Sequence, residues 1–103
     1  MKRNKEIHPD TLMIMGVEWT IKYTDKLKDD EGDTLMGETD IDKYTITINI
    51  KDHDTDSEVA RTTLHETLHA IMRMTGQNEM LSEKQEEAIV RAFEQGLSQI
   101  YRI

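Results

Sequence analysis

The run YTITINI at residues 44–50, followed after KDHD by TDSEVARTTLHETLHAIMRMTG at residues 55–76, decides the architecture. In the first segment Tyr44, Ile46, Ile48 and Ile50 alternate with Thr45, Thr47 and Asn49. That period gives an extended chain one apolar face, and the β-branched density argues against a helix. The second segment opens with Thr55 and Glu58, the capping-box spacing that starts a helix. Ala60, Leu64, Leu68, Ile71 and Met72 then recur at helical intervals until Gly76 stops them. A strand and a helix with one apolar side each must bury those sides together.

Upstream, Val17, Trp19, Ile21 and Tyr23 alternate with Glu18, Thr20 and Lys22, the pattern of a second strand with one buried face. Residues 12–15 reach it across Gly16, so a hairpin is expected there. Residues 25–33 read as an exposed loop, and Gly37 with residues 40–43 as a further turn. Downstream, Ser82 and Gln85 repeat the capping box, and Ala88, Ile89, Val90, Phe93, Leu97, Ile100 and Tyr101 supply the apolar face of a last helix. The expected fold is α+β, a small three- or four-stranded, mainly antiparallel sheet packed against two helices. Residues 11–103 are expected to form the single domain. Residues 1–10, which hold Lys2, Arg3, Lys5, His8 and the sole proline, are expected to form a basic arm that carries little core.

A chain of 103 residues supports one domain with a thin core, and 36% hydrophobic residues suffice when so well patterned. The formal net charge of −8 repels phosphate backbones and anionic lipid, so neither nucleic acid nor membrane is expected as a partner. No apolar run is long enough for a membrane span, and a soluble, cytoplasmic protein is expected. Cysteine is absent, which removes disulfides, thiolate ligands and cysteine nucleophiles together. Any metal must be held by His and carboxylates.

HETLH at residues 65–69 matches HExxH, in which two His one helical turn apart project from the same side of a helix and share one tetrahedral zinc. His65 and His69 are therefore candidate ligands of a single Zn2+. The bland alternative is two surface His on an amphipathic helix, but the match falls within a helix predicted independently and lies beside its apolar stripe. A catalytic zinc needs a third protein ligand and an open position for water. The last helix offers Glu79, Glu83, Glu86 and Glu87. Periodicity puts Glu86 in register with Val90, Phe93, Leu97 and Ile100, where a buried carboxylate would need a strong partner. Glu87 lies on the flank beside Val90 and Arg91, and its competing role is an ion pair with Arg91 four residues on. Glu83 remains a further alternate.

Residues 37–50, LHETLHAI at 64–71 and EAIVRAF at 87–93 together resemble the ImmA/IrrE-like zinc metallopeptidases, glutamate zincins, especially short stand-alone members from phages and prophages. In that family a glutamate stands three residues before a small or apolar position that is followed by Phe or Leu. Glu87, Val90 and Phe93 fit that spacing, so the resemblance implies Glu87 as third ligand over Glu86 and Glu83. Leu68 stands where the family often has glycine, and Val90 with Arg91 where it often has Ala-Asn or Ala-Asp. The resemblance implies zinc-dependent peptide-bond hydrolysis on a narrow protein target, in the host cytoplasm if phage-encoded. Glu66 would then be the general base that takes a proton from zinc-bound water. The substrate would be a protein or peptide, and residues 44–50 are a candidate edge to which it adds as a strand. The alternative is a catalytically silent metal-binding module that holds a regulatory protein partner.

Tyr44, His53 and Tyr101 are the right types to stabilise a transition state, but each has a simpler structural role and none is favoured. Asp52, Asp54 and Asp56 lack the glycine and terminal Glu of a calcium loop and read as a helix start. Met72, Met74 and Met80 are expected as core fillers or rim residues.

Overall fold

The computed structural model describes residues 8–102. Strands β1 (Thr11–Ile14), β2 (Val17–Thr24), β3 (Gly37–Asp40) and β4 (Thr45–Asn49) precede helices α1 (Asp56–Met74) and α2 (Glu83–Tyr101), which a 3-10 turn at Gln77–Met80 connects. The sheet runs β1-β2-β4-β3. Both outer pairings are antiparallel and the central β2–β4 pairing is parallel. The molecule is thus an α+β fold, a four-stranded mixed sheet against two helices.

Local sequence explains most of this. Met15 and Gly16 both have positive φ, as a two-residue type I′ hairpin requires, and glycine accepts that conformation without steric cost. Both capping boxes form: Thr55 accepts from the Glu58 amide, and Ser82 from the Gln85 amide. Gly76, at φ 76°, turns the chain out of α1. Trp19, Ile21, Ile46 and Ile48 project from β2 and β4 into the core, where Ile14, Val59 and Ala70 meet them.

Three expectations need correction. Residues 44–50 are not an edge, because β4 lies inside the sheet and β3 is the outer strand. β3 itself falls on residues read partly as a turn. Its GETD sequence has weak strand propensity, and the turn lies just beyond it, where the Tyr44 amide bonds to the Ile41 carbonyl. The described part of the arm adds no residue to the apolar core cluster, but it is packed onto the domain. His8 is fully buried with Nε2 2.9 Å from Asp56 Oδ1, and the Tyr23 hydroxyl donates to the Pro9 carbonyl. Finally, α2 buries Glu86, Val90 and Ser98, whereas Phe93, Ile100 and Tyr101 are exposed. With only one sheet and one other helix to pack on, a narrow stripe of α2 is covered, and it is not the most apolar one. Among the described residues no helix is long and apolar enough to cross a membrane.

Candidate metal centre

The one-turn offset between His65 and His69 on α1 brings their rings together, with centroids 5.0 Å apart and planes inclined by 64°. α1 packs against β3 and β4 of the sheet and also against α2. Val90 is almost fully buried between the helices. Its register carries Glu86 and Glu87 one turn earlier, and Glu94 one turn later, alongside the imidazoles.

Glu87 bridges the two rings. His65 Nε2 is 2.9 Å from Glu87 Oε1, and His69 Nε2 is 3.0 Å from Glu87 Oε2. Ligand atoms from these three residues lie within 4.8 Å of one another. Neighbouring ligand atoms around a tetrahedral zinc are separated by about 3.3 Å, given bonds of about 2.0–2.2 Å. The donor set, two imidazoles and one carboxylate with no sulfur, suits that ion.

The opposite edges of both rings are also engaged. His65 Nδ1 lies 2.7 Å from Glu94 Oε1, and His69 Nδ1 contacts Glu86 Oε2. A carboxylate that accepts from Nδ1–H leaves Nε2 as the ligating nitrogen and fixes the ring's rotation. Each of these carboxylates is itself backed by arginine, Glu94 by Arg61 at 2.8 Å and Glu86 by Arg73 at 3.9 Å. The Nε2 edges with Glu87 therefore fit a zinc ion, and the carboxylates at the Nδ1 edges fit the support its imidazole ligands would need. Replacing Glu94 or Glu86 with Gln should weaken zinc binding by roughly tenfold to a hundredfold, measured by chelator competition. Unchanged affinity in both variants would deny them this orienting role.

Glu66 sits on the sheet side of the same turn and is 8% exposed. Thr39 Oγ1, from β3, is 2.8 Å from Glu66 Oε1 and 2.9 Å from the Glu66 carbonyl, so its one proton serves either acceptor. Burial is the largest influence on the Glu66 carboxyl and raises its pKa; Thr39, His65 and His69 oppose that rise, and Glu87 adds to it. For Glu87 burial also acts upward. The Arg91 hydrogen bond and both imidazoles outweigh it, and the carboxyl is held below its ordinary value.

β3 approaches α1 so closely here that residue 37 has no room for a side chain. A Cβ on Gly37 would stand 2.8 Å from Glu66 Cγ and 2.9 Å from Thr62 Cγ2. Gly37→Ala should therefore displace Glu66 while leaving Nε2 of both His in place. If Glu66 is the base, turnover should fall roughly tenfold to a hundredfold with zinc affinity little changed. Equal losses in both would point to general disruption.

The cleft over this cluster, of about 900 Å³, runs between β3 and the facing sides of α1 and α2. Of the sequence candidates, His65, His69 and Glu87 converge. Glu86 is close but turned to the far nitrogen of His69, and Glu83 lines the cleft outside the cluster. The Glu87–Arg91 ion pair is also made, at 3.1 Å, alongside the contacts to His. Tyr44 packs edge-on against Trp19, and His53 is buried against the Asn49 carbonyl and Thr62 Oγ1. Tyr101 is exposed, and none of the three lines the cleft. Sequence reasoning missed Glu94, Thr39 and Arg73. For Glu94 a signal existed: it stands seven residues after Glu87, two turns along the same face. Compared with family models, with curated proteins and with solved structures, the chain matches none.

Proposed function

We propose that this chain is a zinc-dependent metallopeptidase of the ImmA/IrrE-like glutamate-zincin kind, acting on a narrow protein target in the cytoplasm. The observation that carries this reading is the convergence of His65, His69 and Glu87 next to a buried carboxylate, Glu66, that takes no part in the cluster. His65 Nε2, His69 Nε2 and one Glu87 oxygen would hold the ion. Bound there, zinc supplies a Lewis acid for the scissile carbonyl and lowers the pKa of water.

The remaining work belongs to the chain's own side chains. Glu66 accepts the proton of the attacking water and returns it to the leaving amine, and its raised pKa suits a group that must both take and give. Thr39 holds the carboxylate by its Oε1 edge and leaves Oε2 for the proton. Glu94 and Glu86 hold the imidazoles in one orientation. β3, as the outer strand beside the cleft, is the place for a peptide to add as a further strand. The cysteine-free composition accords with a reducing cytoplasm.

The test is to incubate zinc-loaded protein with a proteome-derived peptide mixture and identify new termini by mass spectrometry. New termini that vanish with chelator support hydrolysis. Stable capture of a partner from host lysate, with no cleavage in either experiment, would replace the peptidase by a silent zinc-holding module.

A further inference from the structure

β3 is an outer strand, yet part of its outward backbone is already taken. The Asn49 amide donates to the Met36 carbonyl at 2.9 Å, and the register pairs Glu38 with Thr47 and Asp40 with Thr45. Hydrogen-bonded pairs alternate along an antiparallel ladder, so residues 36, 38 and 40 bond to β4 while Gly37 and Thr39 turn their backbone groups outward.

Of the two outward carbonyls in β3 one is occupied from within the chain, and Leu35, just before the strand, has both backbone groups engaged. The Leu35 carbonyl accepts from Asn49 Nδ2 at 3.0 Å, and the Leu35 amide donates to the Leu27 carbonyl. The Thr39 carbonyl accepts from Arg73 Nη1 at 2.9 Å. Only Gly37 keeps an outward acceptor, and it faces the cleft where Glu66 stands.

Resting on the peptidase reading, we infer that β3 offers an incoming strand a single backbone acceptor, the Gly37 carbonyl, and that Arg73 is the specificity-determining residue that ends the docking edge at Thr39. A substrate is then gripped over a short stretch beside the metal site. Residues beyond Thr39 must be recognised by side chain or not at all. This restricts the enzyme to targets that present a short extended segment, and it prevents the edge from capturing long unfolded strands.

The test uses hexa-alanine peptides that carry a hydroxamate at the C-terminus or at the N-terminus, with binding to zinc-loaded protein measured by calorimetry. Each backbone amide is N-methylated in turn. In the wild-type chain one position should be sensitive, losing about fivefold in affinity, as expected for one lost hydrogen bond. In Arg73→Met a second sensitive position should appear two residues away, where the Thr39 carbonyl is freed. The wild-type scan stands on its own if that variant folds poorly. Two or more sensitive positions in the wild type would overturn the single-acceptor edge, and so would none while the unmethylated peptides still bind. If neither hydroxamate binds at all, the peptide-cleaving reading fails and the edge proposal fails with it.

Discussion

Glu66→Gln should bind zinc as the parent does, lose between about 10²- and 10⁴-fold in chelator-sensitive turnover, and melt at a higher temperature than the parent when both are metal-free at pH 7. The first two effects follow from position. Glu66 is outside the ligand cluster but on the same helical turn, so an isosteric amide leaves His65, His69 and Glu87 in place and removes the proton acceptor. The third follows from burial, which raises the Glu66 carboxyl above its ordinary value of 4.5. A folded state that holds this proton more tightly than the unfolded chain has its full stability below that value and loses stability as pH rises through the raised one. At pH 7, above the ordinary value, burial of this titratable carboxyl therefore costs the native chain stability, and the neutral amide removes that cost. Melting curves in chelator at pH 7 and pH 4 check this, because the advantage of Gln should shrink in acid. Parental turnover in Glu66→Gln would sink the assignment of the base, and a lower melting point would show that Thr39 needs the carboxylate.

Gain of stability with loss of turnover is the signature of a group retained for chemistry, since a site tuned for proton transfer is seldom the best-packed arrangement of its residues. The surroundings of Glu66 show where that tension is held. Gly37 removes its own side chain to let β3 approach, and Thr39 spends its hydroxyl on the carboxylate. Both belong to a strand whose sequence, GETD, has little strand character. That is why β3 was not read cleanly from sequence. What holds it in the sheet is tertiary: the ladder to β4, the Arg73 bond to Thr39 and the contact with α1.

The legible features are those set by short-range geometry. An i, i+4 pair of His needs only a helix to share a side, and the two capping boxes announce where each helix starts. The α+β architecture follows from the same periodicities. What depends on how α2 rotates against α1 was not legible. Phe93 and Ile100 look like core by periodicity but face solvent, because Val90 and Ser98 take the contact. The same rotation sends Glu86 to Nδ1 of His69 and Glu87 to the Nε2 side, a distinction that adjacent glutamates cannot encode locally. His8 likewise finds Asp56 across 48 residues, a pairing no window of sequence contains.

That rotation sets up the sharpest comparison of ligands. His69→Ala and Glu87→Ala should each lower zinc affinity by roughly 10²- to 10³-fold, well beyond the effect of changing Glu86. Structural zinc sites with four ligands bind with about 10–16 kcal/mol, or about 2.5–4 kcal/mol for each ligand if shared equally. Glu86→Gln removes only an orienting acceptor, with an expected loss of roughly tenfold to a hundredfold. The His69 change has a second consequence, because Glu86 is 7% exposed and would be left with Arg73 at 3.9 Å as its chief partner. A buried carboxylate deprived of a hydrogen-bond partner is destabilising. His69→Ala should therefore lower the melting temperature of the metal-free chain, and His69→Ala with Glu86→Leu should restore part of it while zinc binding stays lost. Glu87 is partly exposed and its contacts to Arg91 and the imidazoles are screened by solvent, so its removal should lower metal-free stability much less than that of His69. Zinc titration by chelator competition and metal-free melting curves separate these cases. If Glu86→Gln cost more zinc affinity than Glu87→Ala, the third ligand would be Glu86, and α2 would have to turn by about 100° to present it.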